Sequence, residues 1–179
     1  MQTGVMDVAA LVIAIFSALI AILSLVWQAL SWQLGGARPR VTLRYGMAGR
    51  GSVTHSAVPA NGTPKDMSMM IEQGWNEAEL LGAVVHNRGR TRVKVTGISI
   101  NVDRGGFEVG IHSGFVGPET LPQWVEPGES VTWWVDAREA RALLSAVRSS
   151  GSSATSAGMS VELGTGKKLS TPTRVRLAR

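Results

Sequence analysis

The first hydrophobic segment of the chain is a continuous apolar run from Val8 to Trp27, in which Ser17 and Ser24 are the only polar residues. About 20 apolar residues in a helix cross roughly 30 Å of hydrocarbon. The run therefore predicts a transmembrane helix over about residues 8–30. Both serines can donate a hydrogen bond back to their own helix.

The residues flanking the run distinguish a helix that is retained as a membrane anchor from a signal peptide that is cleaved. An amphipathic collar of the kind found at lipid headgroups follows it, formed by Trp27, Gln28, Trp32 and Gln33. A cleavable signal peptide would have a basic start and a shorter apolar stretch, whereas Asp7 is the only charge before the run. A signal peptide cut after the Gly-Gly-Ala at 35–37, or a buried helix of a soluble protein, stays open as an alternative.

Beyond the helix the pattern changes to alternation between apolar and polar residues. Residues 40–46 (RVTLRYG) predict a half-buried strand. Residues 47–66 are rich in Gly, Ser, Pro and Ala without periodicity, which predicts a flexible excursion. Met67, Met69 and Met70 then predict the start of another strand, or a cap on the core.

The central segment predicts a β-hairpin. Residues 80–85 and 91–102 alternate as strands, and the Asn-Arg-Gly at 87–89 is typical of a turn. The apolar positions of the second strand shift from odd to even numbers at Thr96 and Gly97. An extra residue at a glycine is typical of a β-bulge, so we expect a bulge there.

The remaining pattern continues with short strands and one helix. Val131, Trp133 and Val135 alternate, and Asp136 is predicted to cap a helix with Glu139 completing a capping box. The apolar stripe of that helix consists of Ala140, Leu143, Leu144 and Val147. A last hairpin over residues 159–177 is interrupted near Pro172. These elements predict a mainly β fold: an N-terminal transmembrane helix in residues 1–37, followed in residues 38–179 by an antiparallel immunoglobulin-like β-sandwich with one short helix.

Two stretches, VVHNRGRTRVKVTGISI and LPQWVEPGESVTWWVD, carry a resemblance to known proteins. The chain resembles uncharacterised single-pass, membrane-anchored immunoglobulin-like β-sandwich proteins of actinobacteria or their phages, over roughly residues 40–136. The resemblance implies a tethered sandwich and no active site. It also implies that Asn87 fastens its turn to a neighbouring strand.

The distribution of charged residues predicts how the protein is oriented in the membrane. The 18 Lys and Arg residues outnumber the 13 Asp and Glu residues, and there is no cysteine, which excludes disulfides and thiol chemistry. Arg38, Arg40 and Arg44 follow the apolar run, while only Asp7 precedes it. Because positive residues near a span are retained in the cytoplasm, we expect a single-pass protein of the cytoplasmic membrane with a cytoplasmic C-terminal domain. The opposite topology stays open.

Residue types typical of catalysis do not form a pattern. His55, His86 and His112 lack the spacing of metal ligands. The GTGKKLS stretch at 164–170 lacks the first glycine of a phosphate-binding loop and has Lys168 where Ser or Thr is required. We therefore predict no catalytic, cofactor-binding or metal-binding residue, and not an enzyme.

Two sets of residues are candidates for binding. The first is a basic surface, in which Arg88, Arg90, Arg92 and Lys94 are expected to alternate outward along the predicted hairpin, with Arg38, Arg40 and Arg44 near the span. It could face anionic lipid headgroups or an acidic protein. Nucleic acid is less favoured as a partner, because no stacking aromatic platform is evident. An ordinary solvated strand face is its alternative interpretation. The second is a seam of small residues along the helix, suited to homo-oligomerisation or to another protein's span, or present by chance; it comprises Ala10, Ala14, Ser17, Ala21 and Ser24.

The function predicted from these features is a membrane-tethered, non-enzymatic binding or scaffolding module. One alternative is an accessory or regulatory subunit of a larger membrane complex, assembled through the helix. Another is an externally facing adhesion or envelope module, which requires the reversed topology.

Overall fold

The structure is a computed structural model that describes residues 3–102, 106–112, 114–116 and 120–177, with the backbone alone for 3–9 and 32–34. The chain divides into two compact units, Met1–Gly36 and Ala37–Arg179. This division lies one residue from the predicted boundary between residues 37 and 38.

The first unit is a single helix, α1 (Thr3–Gly35). Its segment Ala10–Ser31 is long and apolar enough to cross a membrane, and none of that segment is buried. Large apolar side chains such as Phe16 and Leu23 are 63% and 67% exposed. Ser24 Oγ donates to Ile20 O at 2.8 Å, the predicted bond within the helix. The predicted collar is described at Trp27 and Gln28, whereas the side chains of Trp32 and Gln33 lie outside the described part.

The second unit is mainly β, as predicted, with every strand pair antiparallel. Its described elements, in chain order, are β1 (Pro39–Gly49), β2 (Ser52–Ala57), α2 (Ser68–Glu72), β3 (Ala78–Asn87), β4 (Val93–Val102), β5 (Glu108–Ile111), β6 (Gln123–Val125), β7 (Ser130–Asp136), α3 (Ala137–Ser149), β8 (Ser156–Leu163), β9 (Lys168–Ser170) and β10 (Val175–Arg176). The first sheet has the order β2-β1-β3-β7. The second has the order β10-β8-β4-β5, with β6 also on β4 and β9 also on β8.

Alternation along the strands places the core between the two sheets. Val41, Leu43 and Tyr45 of β1 contribute to one hydrophobic cluster with Ile98 and Ile100 of β4. Helix α3 closes this core with its predicted apolar stripe, of which Leu143 is only partly buried. Asp136 Oδ1 accepts the Arg138 backbone N–H at 2.8 Å, which confirms the predicted N-cap.

The predicted hairpin between residues 80–85 and 91–102 is wrong. Strand β3 pairs with β1 and β7 in the first sheet, whereas β4 pairs with β5, β6 and β8 in the second. The Asn-Arg-Gly segment therefore passes from one sheet to the other. Alternation marks each strand but does not encode its neighbour. The predicted bulge is present, since the β4–β8 register shifts between Val95 and Gly97.

The excursion predicted over residues 47–66 is also wrong for its first half. Strand β1 continues to Gly49 and turns at Arg50 and Gly51 into β2. Position 46 has no room for a side chain, because a Cβ there would lie 2.9 Å from that of His55. The glycine found at this position interrupts the alternating pattern in the sequence. The methionine cluster, for which a strand or a core cap was predicted, contributes to the short helix α2, and Met67 packs against the core.

Candidate functional site

One end of the domain gathers most of the predicted basic surface. Strand β1 begins beside the end of β3, where Arg40 pairs with His86. Arg88 then donates its backbone N–H to Arg38 O at 3.1 Å. The start of β1 and the connection from β3 to β4 are therefore adjacent. We call this region the basic end, and define it by Arg38, Arg40, Arg88, Arg90, Arg92, Lys94 and the neighbouring Trp124.

Asn87 holds the backbone of the basic end in place. Its side chain is fully buried, and Nδ2 donates to Val125 O at 3.1 Å and to Thr91 O at 2.7 Å. Its Oδ1 accepts the Gly89 N–H at 3.0 Å. The side chain thus joins the β3–β4 connection to β6, as the resemblance implied for this residue. The Asn side chain is short, and its amide both donates and accepts hydrogen bonds. It can therefore bind the backbone groups of a turn that makes no sheet hydrogen bonds.

Trp124 gives the basic end an exposed aromatic side chain that we did not single out from the sequence. It lies opposite Lys94 in the β4–β6 pair and remains 45% exposed. The guanidinium carbon of Arg92 lies 4.4 Å from the centroid of its ring, and Lys94 Nζ lies 5.9 Å from it. Both distances are within the range of cation–π attraction, so the two cations are held beside the indole.

Acidic residues are fewer at this end. Glu126 and Glu129 lie in the turn between β6 and β7, which is attached to Asn87 through the Gly128 N–H at 2.8 Å from Asn87 O. Glu129 Oε2 accepts the Glu126 backbone N–H at 2.9 Å. The six basic residues of the basic end therefore outnumber the two carboxylates of this turn, and its potential is positive.

Arg44 does not belong to the basic end. It lies four residues further along β1, paired with Ala57 on one side and Gly82 on the other. At about 3.3 Å per residue this places Arg44 about 13 Å from Arg40 along the strand. The expectation that Arg88, Arg90 and Arg92 alternate along a hairpin face is also wrong, because these exposed residues lie in the connection between the sheets.

A polar trough follows the outer face of the second sheet. Its cavity of about 250 Å³ is lined by Ser99, Glu108, His112, Glu162 and Lys168, among others. Ser99 Oγ and Lys168 Nζ both donate to the Glu108 carboxylate. Burial raises the pKa of Glu108, but these two hydrogen bonds and the Lys168 charge outweigh it, so the pKa is lowered overall. In this network Glu108 is ionised and already paired with Lys168. A structural role therefore fits this carboxylate better than a role in proton transfer.

A second polar network lies at the opposite end of β1. Tyr45 Oη and Arg141 Nη2 both donate to Glu79, which joins β1, β3 and α3. Burial, followed by the hydrogen bond to Glu79 and its charge, raises the pKa of Tyr45. A cavity of about 320 Å³ opens beside this network and is lined by Met47 and Met67. Sequence reasoning missed the network because Glu79 and Arg141 are 62 residues apart.

The three histidines lie in different surroundings. His86 Nδ1 lies 2.6 Å from Ser130 Oγ, His55 lies with its ring centroid 5.1 Å from that of Trp134, and His112 borders the polar trough. Within the described residues, no group of three or more His, Asp or Glu side chains could hold a metal ion.

Comparisons with protein-family models, with curated proteins and with solved structures found no match to this chain. The resemblance to membrane-anchored actinobacterial or phage proteins therefore stays a prediction.

Proposed function

We propose that the protein is a membrane-tethered, non-enzymatic binding or scaffolding module of the cytoplasmic membrane. The observation that carries the proposal is the separation of a wholly unburied apolar helix, Ala10–Ser31, from a β domain with a core of its own. Exposed apolar side chains at this density have no favourable solvent except lipid or another protein. A lipid-embedded helix leaves the domain as the part that meets other molecules.

The arginines that follow the helix support a cytoplasmic domain. Arg38 and Arg40 lie within five residues of Gly35, the last residue of α1. Basic residues this close to a span are the ones that resist translocation.

The strand order supports an immunoglobulin-like identity for the domain. The neighbours β1-β3-β7 and β10-β8-β4 correspond to the A-B-E and G-F-C arrangements of that fold. The connections from β3 to β4 and from β7 to β8 cross between the sheets, as they do in immunoglobulin domains. Such sandwiches commonly serve recognition rather than catalysis, and this analogy is one of fold alone.

Single-cysteine labelling tests the proposal cleanly, because the chain has no cysteine of its own. Two variants of the full chain are compared, Thr3→Cys before the apolar segment and Ser153→Cys in the exposed loop after α3. We expect both to stay in the membrane pellet after alkaline carbonate. An impermeant maleimide should label Thr3→Cys in intact cells and Ser153→Cys only after permeabilisation.

Other outcomes contradict specific parts of the proposal. Extraction by carbonate, or a mature species that begins at Arg38, would remove the tether. Labelling of Ser153→Cys in intact cells would reverse the topology and favour an external adhesion or envelope module.

An accessory subunit assembled through α1 is a second candidate, favoured by the exposure of the small residues on the helix. The members of the seam, Ala10, Ala14, Ser17, Ala21 and Ser24, are all exposed. Ala14→Ile with Ala21→Ile should abolish crosslinking in membranes if the seam packs against a partner. Val12→Ile with Leu19→Ile, on the other side of the helix, is the matched control.

A further inference from the structure

We propose that the basic end binds the anionic phospholipid headgroups of the bilayer that holds α1, with Trp124 at the membrane interface. This inference rests on the proposed tether and names the partner of the domain. Three observations support it: the covalent attachment of the basic end, its positive charge, and the exposed Trp124 beside two cations.

Covalent attachment keeps the basic end near the helix. Gly35 is the last residue of α1 and Pro39 the first of β1. Four residues of extended chain span at most about 14 Å. Whatever the tilt of the domain, the start of β1 therefore stays within this distance of the helix end. The adjacency of Arg38 and Arg88 brings the β3–β4 connection to the same place.

The charge of the basic end fits phospholipid phosphates. Arg88, Arg90 and Arg92 are exposed on one short connection, and guanidinium groups form paired hydrogen bonds with phosphate oxygens. Basic residues next to a span bind anionic lipid most strongly within a Debye length of the surface. Because the tether limits the distance between the helix end and the start of β1 to about 14 Å, a small reorientation of the domain brings these residues into that range. The domain does not have to associate from free solution.

Trp124 distinguishes a lipid surface from other anionic partners. Indole is enriched at membrane interfaces, where an apolar ring and a polar N–H each find a suitable environment. Arg92 lies 4.4 Å from the ring centroid, so a cation that can pair with a phosphate is held beside the indole. Nucleic acid recognition would use several open ring faces for stacking bases. In the described part of the basic end, Trp124 is the single aromatic side chain, and a cation occupies one of its faces.

The test uses the full chain reconstituted in nanodiscs of brominated phosphatidylcholine, with or without phosphatidylglycerol. Subtracting the signal of Trp124→Phe from that of the unchanged protein isolates the quenching of Trp124 from that of the other five tryptophans. We expect several-fold greater Trp124 quenching with phosphatidylglycerol than without it. The difference should disappear in about 1 M NaCl, where the Debye length is about 3 Å.

Charge reversal supplies the matched control. Arg88→Glu with Arg90→Glu should abolish the effect of phosphatidylglycerol, whereas Arg50→Glu with Lys65→Glu, which changes the net charge equally near the opposite end of β1, should leave it intact. If the protein is incorporated in the discs and the quenching of Trp124 does not depend on phosphatidylglycerol, the binding of the basic end to lipid headgroups is contradicted. The membrane tether is not contradicted by that result. Failure to incorporate would instead contradict the tether. A labelled DNA duplex retained by the unchanged protein and lost by the Arg88 and Arg90 variant, without any lipid effect, would assign the surface to nucleic acid.

Discussion

Trp134 of β7 lies across Gly82 of β3 on the outer face of the first sheet. A Cβ built at Gly82 would lie 2.6 Å from Cε3 of Trp134. The indole is only 8% exposed and packs with Leu80 and Ala48 in a small second cluster. A glycine in the middle of a central strand thus provides the space in which a large side chain covers the outside of the sheet.

Gly82→Ala should therefore destabilise the domain by about 1–3 kcal/mol, because the methyl group would force Trp134 out of its site. The measurement is thermal or chemical unfolding of the full chain in detergent. Gly97→Ala is the control, since its added Cβ would meet only the flexible Glu162 side chain, at 3.3 Å or more. Equal stability of Gly82→Ala and the unchanged protein would show that the indole can move away without cost.

Asn87→Ala should destabilise the domain by roughly 2–4 kcal/mol, because several hydrogen bonds of a buried amide are lost together. The exposed Asn61, whose Oδ1 accepts only the Thr63 N–H in the described structure, is the control, and Asn61→Ala should cost less than about 1 kcal/mol. Hydrogen exchange should also show faster opening of residues 88–92 in Asn87→Ala. Unchanged exchange there would contradict the role of Asn87 in holding the basic end.

Acidification should weaken the domain through two carboxylates. The hydrogen bond from Arg138 lowers the pKa of Asp136, and the pKa of Glu108 is also lowered overall. Groups with lowered folded-state pKa values stabilise fully above their unfolded values and lose this contribution as the pH falls through the folded ones. Stability should therefore decline below about pH 4.5, the ordinary range of carboxyl groups.

Two variants isolate this effect. Asp136→Asn keeps a good helix cap but not the charge, and Glu108→Gln keeps the polar trough. Each should flatten the decline of the unfolding free energy as the pH falls below about 4.5. Slopes identical to that of the unchanged protein would assign acid sensitivity to other groups.

Arg50→Asn should stabilise the domain by about 0.5–1 kcal/mol, because Asn-Gly suits a two-residue hairpin turn with positive φ at both residues. Arg50 has φ of 52° and Gly51 has φ of 72°. Arg50→Val should lower the stability, since a β-branched residue is strained in this conformation. If Arg50→Val were as stable as Arg50→Asn, the turn would have to adopt another conformation.

The prediction of secondary structure from the sequence succeeded where the signal is local. The apolar run, the bulge at Gly97 and the Asp136 cap each depend on residues within a few positions of one another. It failed at β2, because Gly46, which accommodates His55, interrupts the alternation near the end of β1, and Val53 is the only large apolar residue in residues 52–57. It failed again for the β3–β4 pair, because two alternating strands in succession are compatible with a hairpin or with a crossing between sheets.

For the candidate site, the sequence indicated six of the basic residues that meet at one end, although for a wrong reason in the case of Arg88, Arg90 and Arg92. It did not indicate that Arg44 lies away from the basic end, because this depends on the distance along β1. Neither did it indicate Trp124, whose contact with Arg92 spans 32 positions, nor the network of Tyr45, Glu79 and Arg141.

The sequence by itself determined the apolar helix, the β character of the domain and its excess of positive charge, because composition and short periods dictate these properties. Only the tertiary structure decided which strands are neighbours, and with them which cations surround Trp124 and which side chains share Glu79. The physical reason is that a backbone ladder pairs any two suitable edges. The choice among them is made by how all the side chains of both sheets pack into one core.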